Sequence, residues 1–280
     1  MNLDAYFARI GFSGRRVPTL ETLQALHLAH VQSIAFENLN PLLDWPVPLD
    51  LPSVEEKLVH AGRGGYCFEQ NALLAAALRE LGFDVTGLAA RVIWSVPEDA
   101  VTPRTHMLLK VTIAGEPFLA DVGFGGQTLT GPIRLVENVE QTTPHDPFRL
   151  VPAEPFDAAA GPYGADLKLQ SVVAGAWKTL YRFDLQPQRP PDYVVANHYV
   201  STHPSSHFRS SLRVALAAPG RRYALVNNQL TVHHLNGRSE RQILNSVSEV
   251  KEALVARFGL TLPATPDLDA ALARACALPA

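Results

Sequence analysis

Cys67 stands in the segment Arg63-Gly64-Gly65-Tyr66-Cys67-Phe68-Glu69-Gln70-Asn71, directly ahead of an apolar run. That run predicts a helix beginning near Cys67, with Leu74, Ala77, Leu78 and Leu81 on its apolar stripe and Gly82 as its stop signal. A cysteine in the first turn of a helix meets unpaired backbone N–H groups and the positive end of the macrodipole. Both favour a thiolate, the form that acts as a nucleophile. The two glycines permit unusual dihedrals and close backbone approach just before it. The competing account is a free cysteine packed as a small hydrophobe. Cys276, in ALARACALP, lacks such surroundings and is read as a packing residue or an exposed bystander.

A nucleophilic thiol needs a base, and the base needs a group to orient it. His106 starts the strand-like run THMLLKVTI; a turn at Ala114-Gly115-Glu116 follows, and then PFLADVGF delivers Asp121. A turn centred near Gly115 brings His106 and Asp121 to neighbouring positions across the antiparallel pair, where an even residue parity would set them on opposite faces and a small change of register decides the matter. A turn centred between 113 and 114, or between 114 and 115, sets both on one face. A carboxylate in an otherwise apolar strand needs a partner, and a His–Asp hydrogen bond supplies one. Gly123-Phe124-Gly125-Gly126 comes next; it has neither Walker nor dinucleotide spacing, but it removes side chains where a ligand could approach the backbone. His203 and His207 flank Pro204 with no acidic residue or cysteine close by, and His233-His234 point to opposite faces of a strand, so no metal site is expected. His27 and His30 read as helix-surface or packing residues.

These residues require elements to hold them. Residues 1–83 read as mainly helical: LETLQALHLAHVQSI has apolar positions at helical spacing, and Ser53 with Glu56 looks like the capped start of a second helix. From about Val85 the period changes to short strands (VTGLAARVIW, THMLLKVTI, PFLADVGF, FRLVP, LKLQSVV, WKTLYRFDL), which suggest an antiparallel sheet or small barrel. Gln186–Pro191 is a plausible domain boundary. Beyond it DYVVANHYVST is mixed, RYALVNNQLTVHHL reads as two strands around Asn227-Asn228, and SVSEVKEALVARFGL as a capped amphipathic helix.

The 280 residues carry 24 Lys plus Arg against 27 Asp plus Glu, a formal net charge of −3. No stretch is dense in basic residues, which argues against a nucleic-acid or acidic-membrane binder. Hydrophobic residues make up 47%, which excludes disorder, and no apolar run approaches the roughly 18–20 residues that cross a bilayer. The opening MNLDAYFARIGF lacks a signal-peptide pattern, and the two cysteines form neither a metal pair nor a disulfide framework. The expectation is a soluble, cytoplasmic protein with free thiols.

The sequence resembles the arylamine N-acetyltransferases over nearly its whole length. Tyr6-Phe7-Ala8-Arg9-Ile10-Gly11-Phe12 is similar to the family's Y-x-x-R-I-G-Y/F element, and Phe36-Glu37-Asn38-Leu39 to its F-E-N-L segment. The segment from Arg63 to Asn71 resembles its nucleophile motif. His106 and Asp121-Val122-Gly123-Phe124-Gly125 stand where the family carries the other triad members. Tyr181-Arg182-Phe183 and the run from Asn197 to Phe208 resemble the crossing into its third domain. Ala35 stands where the family usually has proline.

The resemblance implies an α+β multidomain fold with a cysteine-protease-like catalytic core: an N-terminal helical bundle (1–84), a central antiparallel β-barrel (85–190) and a C-terminal α/β lid (191–280). It implies acetyl transfer from acetyl-CoA, as co-substrate rather than tightly bound cofactor, to small aromatic amines or hydrazines through acetyl-Cys67. His106 and Asp121 would complete the triad. Gly125 and Gly126 would meet acetyl-CoA, and Phe36 and Phe124 would shape the pocket. Arg9 and Glu37 would form a buried ion pair bracing the site, with Arg63 in a similar supporting role. The nearest rival is a thiol hydrolase or transglutaminase-like acyltransferase with the same three residues; the non-enzymatic rival is a binding module with a dead thiol-enzyme fold. Nothing in the sequence specifies an oligomeric state.

Overall fold

The computed structural model describes residues 1–154 and 166–277. The chain begins with α1 (Leu3–Ile10) and α2 (Leu20–Ser33), passes through a short strand β1 (Phe36–Glu37) and α3 (Leu39–Leu42), and reaches α4 (Leu51–Glu55), a π turn (Glu56–His60) and α5 (Cys67–Glu80). Thr19 caps α2 by accepting the Thr22 N–H. The expected cap at Ser53 is displaced: the Asp50 carboxylate accepts the Ser53 N–H at 3.0 Å, and Pro52 in the first turn starts the helix earlier. The apolar stripe of α5 packs with α1, α2 and one face of the following sheet into a shared core that includes Tyr6, Leu26, Leu74, Leu78, Met107, Leu109 and Val111.

The strands β2 (Asp84–Val92), β3 (Arg104–Ile113), β4 (Glu116–Ala120), β5 (Ile133–Arg134), β6 (Gln141–Thr142), β7 (Pro147–Pro152), β8 (Leu167–Val173) and β9 (Ala176–Phe183) follow. They form an eight-stranded antiparallel sheet in the order β5-β4-β3-β2-β9-β8-β7-β6. Its two edge strands are brought together by Gln141, whose side chain exchanges hydrogen bonds of 2.7 and 2.9 Å with the Arg134 backbone. The result is a nearly closed barrel. Along β3 the alternate residues divide between two cores: Met107, Leu109 and Val111 face the helices, while Leu108 joins Leu88, Leu119 and Phe148 inside the barrel.

The segment after Gln186, read as mixed, opens with a helix. Pro190 and Pro191 occupy its first turn, where a missing N–H costs nothing, and α6 (Pro190–Thr202) continues to Thr202. Then come α7 (His207–Ser210), β10 (Arg213–Leu216), β11 (Arg221–Val226), β12 (Gln229–His234), β13 (Ser239–Ile243), α8 (Val247–Ala256) and α9 (Asp267–Cys276). Asn227, at a φ of 54°, and Asn228 make the two-residue turn between β11 and β12, and Ser246 caps α8. These strands form a second antiparallel sheet, β1-β10-β11-β12-β13, so the early strand carrying Phe36 and Glu37 is built into the late sheet. Cys276 is buried in the core between that sheet and α8 and α9, and burial pushes its thiol up to about 11. Among the described residues no helix is long and apolar enough to cross a membrane.

Candidate active site

Cys67 is the first residue of α5, as its sequence context predicts. Gly64 and Gly65 serve close approach rather than unusual dihedrals. A Cβ on Gly64 would lie 2.2 Å from the Ala35 carbonyl oxygen, and one on Gly65 2.7 Å from Glu69 Oε2. Glu69, three residues into the helix, accepts the Tyr66 N–H at 3.0 Å and so covers one of the unpaired groups at the helix start. Gln70 fastens the same turn to the preceding chain, its Nε2 donating to the carbonyls of Ile34, Ala35 and Gly65 at 3.3, 2.9 and 3.2 Å.

The β3–β4 hairpin turns on Ala114 and Gly115, both at positive φ, with Ile113 opposite Glu116. The turn is therefore centred between 114 and 115, and His106 and Asp121 share a face. His106 Nε2 donates to Asp121 Oδ2 at 2.7 Å, with both side chains buried. Opposite β2 the register slips beside His106: Ala90 pairs with His106 but Arg91 with Arg104, which leaves Thr105 as a bulged residue. The bulge aims the Thr105 carbonyl at the helix start, where it accepts from Cys67 Sγ at 3.7 Å.

The electrostatics of the pair follow from its partners. Burial works against charge on His106, but the Asp121 carboxylate, its hydrogen bond and the adjacent thiol outweigh it and raise the imidazole to about 10. Burial likewise opposes ionisation of Asp121, and His106, Asn71 and the Gly123 N–H together hold its carboxyl below the usual range. Asn71, one turn along α5 from Cys67, gives its Nδ2 to Asp121 Oδ1 at 3.0 Å and to the Met107 carbonyl at 2.8 Å, while its Oδ1 accepts the Val122 N–H at 3.1 Å. The Gly123 N–H donates to Asp121 Oδ1 at 2.9 Å. His27 Nε2 accepts the Asp121 backbone N–H at 3.2 Å. Helix and barrel are thus tied through one carboxylate.

Gly123 is where that tie is tightest, since a Cβ there would lie 2.6 Å from Cys67 Cα. Phe124 stands edge-on to His106 with ring centroids 5.3 Å apart, and Tyr181 of β9 lies 5.0 Å away on the same ring. Gly125 has a φ of 90°, and a Cβ on it would meet the Phe36 ring at 3.4 Å. Around Gly126 a Cβ would meet nothing within 4 Å. Among the described residues no group of His, Cys, Asp and Glu is arranged to hold a metal ion.

The expected Arg9–Glu37 ion pair is not formed. The Arg9 guanidinium is taken up by the carbonyls of Leu58 and Ser33, at 3.0 and 2.8 Å, and reaches that of Arg63 at 3.5 Å. Glu37 instead pairs with Arg63 at 2.9 Å and faces Lys57 at 3.7 Å. Burial opposes its charge, but Lys57, Arg63 and the Leu39 N–H together hold its carboxyl low. Lys57 also pairs with Glu69 at 2.7 Å, so this buried network reaches the cap of α5 and braces it from behind. His27 and His30 are fully buried rather than on the helix surface, one against Asp121 and the other between Tyr6 and Gln70.

Asn71, His27, Thr105 and Tyr181 had no assigned place at the site from sequence. Asn71 was open to detection, because four residues on from Cys67 is one helical turn along the same face. The other three depend on contacts between distant elements.

The N-acetyltransferase family model matches residues 19–266, which sets the class of the protein as an acyltransferase. An arylamine N-acetyltransferase of Escherichia coli K12 is 46% identical over 260 residues, covering 92% of this chain and 88% of that protein. One from Mycolicibacterium smegmatis is 44% identical over 266 residues, covering 94% and 93%. The solved structure of the Mycobacterium marinum arylamine N-acetyltransferase in complex with CoA superposes with a TM-score of 0.91 at 38% identity, covering 98% of this chain and 100% of that one. The chain belongs to the arylamine N-acetyltransferases.

Proposed function

We propose that this chain moves an acetyl group from acetyl-CoA to an arylamine or arylhydrazine in two steps, through acetyl-Cys67. The observation that carries the reading is the buried 2.7 Å bond from His106 Nε2 to Asp121, beside a thiol at a helix start. With Nε2 committed to Asp121, Nδ1 is the ring nitrogen left to exchange a proton with Cys67. The carboxylate holds the imidazole in one tautomer and stabilises its charged form, so proton transfer from thiol to imidazole costs little.

In the first step the Cys67 thiolate attacks the thioester carbonyl of acetyl-CoA. Backbone N–H groups of the first turn of α5 face the developing oxyanion. The C–S bond to CoA breaks, and the CoA thiolate leaves with the proton held on His106. In the second step the amine nitrogen attacks acetyl-Cys67 and His106 takes its proton. The C–S bond to Cys67 breaks and the amide is released. Thioester exchange is nearly balanced and amide formation runs downhill, which makes a thioester a suitable relay.

Phe124, edge-on to His106, and Phe36, beside Gly125, form aromatic walls for a flat acceptor. Gly125 and Gly126 are the proposed backbone contacts of acetyl-CoA; the open space around Gly126 supports this. Arg63 and Glu37 act behind the site, holding the start of α5, and Arg9 holds the turn before it. The division at residues 84 and 190 belongs to this reading; the barrel interior has an apolar core of its own, which supports it, while the core around α5 is shared across both boundaries and β1 is exchanged into the late sheet. Two free cysteines suit a reducing, cytoplasmic setting.

Mixing the protein with acetyl-CoA alone tests the reading: mass spectrometry is expected to show one added acetyl group, on Cys67. A Cys67→Ala variant that still transferred acetyl to an aromatic amine would overturn it.

A further inference from the structure

The loop that carries Gly125 and Gly126 is held very differently at its two ends. Its inner end is locked into the site: Asp121 is bonded to His106, Asn71 and His27, and Thr128 Oγ1 closes back on the Asp121 carbonyl at 3.0 Å. Its outer end is held by a side chain from the other sheet. Arg222 on β11 is 3% exposed; its Nε donates to Asp146 Oδ2 at 2.7 Å and its Nη1 to the Gly126 carbonyl at 3.3 Å. Beside it, His145 Nε2 donates to the Ala218 carbonyl at 2.8 Å. The chain entering β7 is thereby joined through two adjacent residues, His145 and Asp146, to the turn before β11 and to β11 itself.

A buried arginine is a costly way to join two sheets, since an apolar residue of similar volume often serves stability as well. What the guanidinium adds is direction, because two diverging N–H groups fix a carboxylate and a carbonyl relative to each other. The carbonyl it fixes belongs to a glycine whose neighbour, Gly125, sits at a φ of 90°. Without the guanidinium the Gly125 carbonyl still accepts the Thr128 N–H at 3.1 Å, but the Gly126 carbonyl is released, and a ligand meeting this glycine pair would have to order it on binding.

We infer that Arg222 is a positioning residue for the acetyl donor: by clamping the Gly126 carbonyl against Asp146, it preorganises the Gly125–Gly126 backbone that acetyl-CoA meets. This rests on the reading that acetyl-CoA passes these two glycines on its way to Cys67. Arg222 acts on donor binding and not on the thiol, because the contacts that hold Asp121 and His106 come from α2, α5 and the inner end of the loop.

The test follows formation of acetyl-Cys67 by intact-mass measurement on the full chain, at increasing acetyl-CoA, to obtain a half-saturating concentration and a limiting rate. Arg222→Met is expected to raise the half-saturating concentration about fivefold, the scale of one lost hydrogen bond, and to keep the limiting rate within about twofold. Arg222→Lys guards against misfolding of the first variant. It preserves charge and length, but one ammonium does not span both acceptors, so the half-saturating concentration rises here too. Gly126→Ala meets no protein atom, so its added methyl raises the half-saturating concentration by obstructing the donor.

A wild-type half-saturating concentration in a folded Arg222→Lys or Arg222→Met protein overturns the inference. So does a fall in limiting rate alone, or a Gly126→Ala protein that binds donor normally. If the wild-type chain itself formed no acetyl-Cys67, the failure would lie with the two-step reading and not with the clamp.

Discussion

His106 on β3 and the pair His27 and His30 on α2 are buried to nearly the same depth, at 3%, 0% and 0% exposure, yet one is charged and the other two are neutral. Burial pushes His27 down to about 3 and His30 to about 4, so both are neutral, while the Asp121 carboxylate and its hydrogen bond overcome the same burial and lift His106 to about 10. Depth therefore does not decide the charge of a histidine here; the chemistry of the group facing it does. Asp121 makes the point within one residue. Its carboxylate faces His106 and charges it, while its backbone N–H donates to His27 Nε2, which must keep a lone pair and stay neutral to accept. His30 is neutral for a related reason: its Nδ1 pairs with the Tyr6 hydroxyl at 2.8 Å and its Nε2 with Gln70 Oε1 at 2.6 Å, two uncharged partners.

The most direct way to break this contrast is Asp121→Asn. The amide keeps the shape of the carboxylate but removes the charge that holds a proton on His106. His106 then joins the neutral pair, and the rate of acetyl-Cys67 formation is expected to fall by roughly 10³–10⁴-fold, as when a triad carboxylate is lost. A loss of less than about tenfold in single-turnover measurements would show that the charge on His106 is set by something other than Asp121.

Substitutions on α2 act on the other side of the contrast, through stability. His30→Leu strands the Tyr6 hydroxyl and Gln70 Oε1 in the core and is expected to cost about 2–5 kcal/mol in urea unfolding. His27→Leu leaves one buried N–H, that of Asp121, without its acceptor and is expected to cost about 1–3 kcal/mol. Neither removes the carboxylate from His106, so acetyl-Cys67 formation by the folded His27→Leu protein stays within about tenfold of wild type. If it dropped as far as in Asp121→Asn, the two histidines would form one unit and not two opposed ones.

The sequence revealed these two groups unequally, and the reason is physical. The nucleophile is local: Gly64, Gly65, Cys67 and the stripe of α5 lie in one stretch, so helix start, close approach and thiol can all be read together. The His106–Asp121 pair is semi-local, because one hairpin joins them, and once the turn is centred between Ala114 and Gly115 parity decides the face. The role of His27 is out of reach because its partner lies 94 residues away, and a neutral buried histidine and a surface one look alike in LETLQALHLAH. The Arg9–Glu37 pairing failed for the same reason. Both residues belong to recognisable segments, but which cation faces Glu37 depends on how the π turn after α4 delivers Lys57 and on where Arg63 folds back. The helical, barrel and mixed order of the chain was legible from the change of period, whereas the insertion of β1 into the late sheet was not, since two residues carry no periodicity.

The smallest expected effect is also the one that reads both groups in a single experiment. His106 is raised in the folded chain above its ordinary 6.5, so its contribution to stability is complete below that pH and is lost as pH climbs through about 10. His27 and His30 are lowered from 6.5, so theirs is present above that pH and is lost as pH falls through about 4 and then about 3. Stability should therefore decline on both sides of a maximum near neutrality. Up to about pH 9, where the buried Cys276 thiol begins to add to it, the alkaline limb belongs to His106, and the acid limb belongs in part to the other two. Between pH 7 and 8 the decline is at most about 1.4 kcal/mol, the value of one proton per pH unit. Urea titrations at those two pH values measure it, and the same titrations on Asp121→Asn sharpen it. With His106 no longer held charged, that protein should lose the alkaline slope and keep the acid one. A slope that persisted in Asp121→Asn would have to come from another group that takes up a proton on folding, and the opposition between the two sets of histidines would no longer account for the pH profile.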